Sequence, residues 1–198
     1  MKSLFLILLF SLLIIGNSIL GNLGGWKKGS YRENDAGIDR AFKRAFEDYE
    51  FYFPNSDIDS TNRLTIYRQM ANGINYLICF IDLKRNLNVI NECIVSGPSF
   101  SSNNRDQEFK ILGKNKYIPN RGLLSVNDPR YPRIQNTLYG YTKRIKQKLL
   151  YINKIEIVET TLDTFYIIVG RAEDKEHIYV VGQSKENMDE YEAYDMIK

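Results

Sequence analysis

Cys79, Cys93 and His177 are the residues of this chain whose types could carry nucleophilic or metal chemistry. A thiolate nucleophile needs a base, a group that orients the base, and a dipolar hole for the developing charge. His177 lies in the other half of the chain, inside a run of strand-forming residues, so a cysteine–histidine pair is not expected. Glu173, Asp174 and Glu176 come closest to paired carboxylates for acid–base work, but with Lys175 among them they read as a solvated turn. No glycine-rich phosphate loop and no metal-ligand spacing occurs. The expectation is a protein that is not an enzyme and takes no metal and no cofactor.

The cysteines read as structural. Both fall in strand-forming runs joined through Leu83-Lys84-Arg85-Asn86-Leu87. A hairpin turning symmetrically at Asn86 sets Cys79 and Cys93 across from each other and allows a disulfide in an oxidising compartment. Closing that loop contributes about 3 kcal/mol on the chain-entropy account. The alternative is a one-residue slip of register, which puts the thiols on opposite faces, buried and free.

Three short segments have the composition of a binding edge. Leu23-Gly24-Gly25 carries paired glycines, which let a backbone lie flat against another surface. Gln69-Met70-Ala71-Asn72-Gly73 stands between two strand-forming runs and reads as a hairpin tip. Gly97-Pro98-Ser99-Phe100 stands between the next two, a turn bearing one aromatic ring.

The elements that must position these segments fall into two similar units. Asn34-Asp35 caps a helix whose Ile38, Ala41, Phe42, Ala45, Phe46 and Tyr49 share one face. Asn127-Asp128-Pro129 opens a second, with Ile134, Leu138, Tyr141, Ile145 and Leu149 on one face and proline in its first turn. Strand formers follow each helix, at 64–67, 75–81, 89–95 and 108–112, then at 154–158, 165–169, 177–181 and 192–197. The Asn-Asp caps, and likewise Tyr76 and Tyr166, repeat at a period of about ninety residues, which suggests an internal duplication. One helix followed by about four strands suits an antiparallel sheet wrapped around its helix, so the expected class is α+β. The breaker-rich stretch from Gly113 to Gly122 reads as the boundary.

In the order glycine pair, amphipathic helix, Gln-x-x-x-Gly hairpin and later proline-bearing hairpin, the first unit resembles a cystatin. Its most specific part is Arg68-Gln69-Met70-Ala71-Asn72-Gly73-Ile74-Asn75-Tyr76. The resemblance implies two cystatin-like domains, 22–113 and 123–198, joined by a linker at 114–122, each an antiparallel sheet wrapped around one helix. It also implies reversible inhibition of a papain-like, cathepsin-type cysteine protease, by a wedge that occludes the cleft without a covalent step. Carried over by position, Gly24 belongs to the N-terminal trunk of the wedge. Gln69, Met70, Ala71, Asn72 and Gly73 form its first loop, and Pro98 with Phe100 its second.

The departures from the family weaken the expected contact. Ala71 stands where the family usually has valine, and Ser99 where it usually has tryptophan. Lost apolar contact of that size costs about 1 to 2 kcal/mol, or about tenfold in affinity. The second unit's loop, Glu159-Thr160-Thr161-Leu162-Asp163, replaces glutamine and glycine with acids, so inhibition is expected from the first unit alone. Asn55-Ser56-Asp57 resembles, in altered order, the Ser-Asn-Asp by which some cystatins bind legumain, so the resemblance offers legumain as a further candidate partner through Asn55. The alternative function is a binding protein that keeps the fold and does not inhibit.

The chain opens with Met1-Lys2-Ser3, an apolar stretch from Leu4 to Ile15 and small residues at Gly16, Ser18 and Gly21. That is the layout of a secretory signal peptide at 1–21, and Asn17 and Ser18 interrupt the stretch before it reaches the length of a membrane span. Secretion, with no membrane contact after cleavage, is expected. The formal charge of +3, from 27 basic and 24 acidic residues, falls by one with Lys2 and gives no electrostatic case for nucleic acid. The cluster from Lys143 to Lys148 reads as a solvated helix face.

Overall fold

The computed structural model describes residues 25–29, 35–54, 56, 62–82, 89–99, 108–120, 122–173 and 175–194. The expected signal sequence, Gly24, Asn55, Asp57, Phe100 and the last expected strand residues, 195–197, lie outside them.

Helix α1, Ala36–Tyr52, starts where its cap dictates: Asp35 is extended and its carboxylate accepts from Gly37 N at 2.8 Å. Its apolar face, Ile38, Ala41, Phe42, Ala45 and Phe46, is buried. Helix α2, Tyr131–Arg144, starts later than its sequence suggests. Asp128 accepts from the backbone N–H of Arg130 and from its guanidinium at 2.8 to 2.9 Å, closing a turn before the helix. The proline of its first turn is therefore Pro132, not Pro129. Ile145 caps its far end, Lys146 has a φ of 57°, and Leu149 already belongs to the next strand.

Two antiparallel sheets carry these helices. The first has the order β1 (Lys27–Lys28), β2 (Arg63–Ala71), β3 (Gly73–Ile81), β4 (Ile90–Ser96) and β5 (Lys110–Tyr117). The second runs β6 (Leu149–Glu159), β7 (Asp163–Ala172), β8 (Lys175–Ser184) and β9 (Tyr191–Tyr194). Helix α1 packs on one face of the first sheet through Ile66, Tyr76, Ile78 and Phe80. Helix α2 packs on one face of the second through Ile155, Tyr166, Ile168 and Val181.

The remaining faces meet each other. Leu64, Tyr67, Leu77, Cys79, Ile81 and Ile90 of the first sheet form one apolar layer with Val158, Phe165, Ile167, Val180 and Tyr194 of the second. This corrects the expected α+β class of two cystatin-like domains, each a sheet wrapped around its own helix. Among the described residues the fold is mostly β, with 48% in strands and two helices, and the two sheets share a core. The physical reason lies in the central strands. Every residue from Tyr76 to Ile81 is buried, and so is every residue from Asp163 to Ile168, which requires a packed layer on both faces of each sheet.

Strand β5 continues to Tyr117, so the first residues of the expected linker at 114–122 are strand. The following segment runs beside β6: Asn120 N donates to Ile157 O at 2.8 Å and Leu124 N to Ile155 O at 2.9 Å.

Candidate functional site

At one end of the first sheet the chain brings together three of its segments. Strands β2 and β3 stay paired up to Ala71 opposite Gly73, leaving Asn72 alone at the tip. Gly97 N donates to Ile74 O at 2.8 Å, which lays the 97–99 turn beside that tip, and Ser99 Oγ donates to Asn72 Oδ1 at 3.0 Å. Gly73 is the hinge of the arrangement. Its φ of 141° belongs to glycine, and a Cβ there would stand 2.6 Å from the carbonyl oxygen of Pro98.

The N-terminal segment joins from the other side. β1 pairs Lys27 with Arg68 and Lys28 with Tyr67, and Gly29 N donates to Ile66 O at 2.8 Å. Arg68 pairs with Asp35 at 3.0 Å, so the strand leading to the tip is anchored to the cap of α1. Of the expected site residues, Gln69, Met70, Ala71, Asn72, Gly73 and Pro98 stand at this end of the sheet. Met70 is 56% exposed and is the one large apolar side chain exposed among them.

The corresponding hairpin of the second unit is docked against the first sheet. Asp163 accepts from Thr65 Oγ1 at 2.7 Å and from the Tyr67 hydroxyl at 2.6 Å, both on β2. Thr161 donates its hydroxyl to Glu92 Oε1 at 2.7 Å and its N–H to Oε2 at 3.2 Å, and Tyr117 also donates to Glu92, at 3.0 Å. Burial raises the pKa of the Asp163 carboxyl, against the hydrogen bonds from Tyr67 and Thr65 that lower it. Burial and the bond to Asp163 together push the Tyr67 phenol far up. The sequence marks Glu92 and Asp163 only as acids beside apolar runs, the single available hint that they are buried polar anchors between the sheets.

No disulfide joins the cysteines, which corrects the expected bond between Cys79 and Cys93. β3 and β4 pair Ile78 with Cys93 and Cys79 with Glu92, one residue off the symmetric register. Cys79 therefore faces the layer between the sheets and Cys93 faces α1. Burial raises the Cys79 pKa well above its ordinary value and pushes that of Cys93 up to about 12, so both remain protonated thiols at neutral pH.

His177 lies on β8, held by Gln147 Nε2 at 3.0 Å and stacked on Tyr179 with ring centroids 6.0 Å apart. Glu176 accepts from Asn153 Nδ2, and Glu173, with a φ of 35°, forms the β7–β8 turn. Among the described residues, no group of three or more histidine, cysteine, aspartate or glutamate side chains could hold a metal ion. No family model and no curated protein matches the chain.

Proposed function

We propose that this protein is a secreted, reversible inhibitor of a papain-like cysteine protease, acting by inserting the 69–73 hairpin edge into the active-site cleft. The observation that carries the reading is the fusion of two loops into one edge, Gly73 against Pro98 and Asn72 against Ser99, with Met70 exposed on it. A preorganised edge loses little freedom on binding, which favours affinity without a covalent step. Reversible blockade also suits a chain whose thiols are buried and protonated. The edge is a property of one sheet end, so the reading does not depend on how many domains the chain forms.

Inhibition from the first unit alone agrees with the position of the second hairpin, whose Asp163 and Thr161 are engaged by β2 and β4. A second reading, a binding protein that does not inhibit, draws on Ala71 and Ser99, which leave Met70 as the edge's main apolar contact. Titration of papain activity with the mature protein separates the two. Dose-dependent loss of activity that returns on dilution supports inhibition; full activity beside a folded protein in excess leaves the binding protein.

A further inference from the structure

At the opposite end of the first sheet from the hairpin tip, a cavity of about 300 Å³ opens between the last turns of α1 and strands β3, β4 and β5. That volume is within the range of small-molecule sites, about 300 to 1,000 Å³. Its apolar walls are Ala45, Tyr49, Tyr52, Phe53, Phe80 and Cys93. The rings are set by mutual packing: Tyr49 meets Phe80 edge-on at 5.3 Å and lies 4.7 Å from Phe53.

The acidic groups lining this cavity are already engaged. Asp48 pairs with Lys114 at 2.7 Å, and Glu92 accepts from Thr161, Asn115 and Tyr117. Two donors have no hydrogen-bond acceptor among the described residues. Asn91 is only 4% exposed and lines the cavity, and its side-chain amide makes no hydrogen bond among the described residues. The amide opens onto the cavity and is free to donate into it. Lys116 is the direct cross-strand partner of Asn91. Its ammonium lies 3.9 Å from the Phe53 ring centroid and 5.9 Å from that of Tyr49, and no carboxylate among the described residues pairs with it.

An apolar slot that carries, side by side, an ammonium with no carboxylate partner among the described residues and an amide free to donate is complementary to one kind of ligand. We infer that the cavity binds a small amphiphilic carboxylate, its chain among the aromatic rings and its carboxylate between Lys116 Nζ and the Asn91 amide. The site does not rest on the protease reading, since it uses none of the residues of the hairpin edge.

Calorimetric titration of the full chain with octanoate, below its micellar concentration, and with octanol, below its solubility limit, tests the inference. Octanoate should bind saturably at one site and about tenfold more tightly than octanol, because only the carboxylate gains the charge-assisted bonds. Lys116→Gln should bring octanoate down to the affinity of octanol, and Asn91→Leu should weaken octanoate while sparing octanol. Lys110→Gln, at the far end of β5, should change neither. Because Lys116 is exposed, its variant leaves the fold intact and the comparison readable. Equal affinities for octanoate and octanol, octanoate binding that survives Lys116→Gln, or no saturable binding at all would overturn the inference.

Discussion

Gly73 approaches Pro98 so closely that a Cβ on the glycine would meet the proline's carbonyl oxygen at 2.6 Å. The contact joins the β2–β3 hairpin to the turn after β4 and leaves one continuous edge. Gly73→Ala meets both that carbonyl and a φ of 141°. The expected cost is about 1 to 3 kcal/mol. A lowered urea midpoint with an unchanged slope checks it, since the tip must rearrange while the surface exposed on unfolding stays the same.

Asp163 gives the protein a specific pH dependence. Burial raises its carboxyl pKa in the folded state, so the folded protein binds that proton more tightly than the unfolded chain does. The group's contribution is fully present below the unfolded value of about 4 and is lost as pH rises through the folded value. The groups facing it are Tyr67 and Thr65, which donate to it, Lys28, which favours its charge, and Glu92, which opposes it. Asp163→Asn removes this titration. Measured by thermal unfolding, the wild type should therefore lose stability relative to the variant as pH rises from about 4. A difference that stays flat with pH would contradict the assignment.

Tyr67→Phe keeps the ring in the layer between the sheets and removes one donor to Asp163. A hydrogen bond to a buried charged group is worth about 1.5 to 3 kcal/mol, and the loss should fall in that range in a denaturant titration. In the Asp163→Asn background the same change should cost less, since the two residues act on one bond.

Both cysteines should behave as protected thiols. With no reductant present, a thiol-specific chromophoric reagent should find neither cysteine over minutes in the native protein and both once it is unfolded. Reductant should leave the unfolding midpoint unchanged. A midpoint that falls with reductant would restore the disulfide.

Helix α1 was readable in the sequence because its apolar residues recur at helical spacing behind a cap, as Ile38, Phe42 and Phe46 do behind Asp35, whereas α2 was readable by its spacing but not by its start. The hairpin tip was readable for a similar reason, since Asn72-Gly73 punctuates two strand-forming runs. The register of β3 on β4 was not. One residue of slip decides whether Cys79 and Cys93 share a face, and the apolar runs of both strands accept either register. The layer between the sheets differs from the expected wrapped sheet for a physical reason. The unbroken apolar run from Tyr76 to Ile81 marks burial on both faces, whereas a sheet wrapped around one helix needs only alternation. In the sequence alone, Asp163 reads as an acid that a protease cleft would meet. Its partners Thr65 and Tyr67 lie far upstream, and no local spacing links them to it.

The most direct measurement is the equilibrium inhibition constant for papain, taken side by side for the wild type, Met70→Glu on the hairpin edge and Tyr151→Glu on the second sheet. Both substituted residues are exposed, at 56% and 53%, so neither change disturbs the core. The wild type should inhibit reversibly, Met70→Glu should weaken inhibition by at least about tenfold, as expected for a charge placed at the centre of an apolar contact, and Tyr151→Glu should match the wild type. Inhibition that is absent, or that Met70→Glu leaves intact, would contradict the proposed edge.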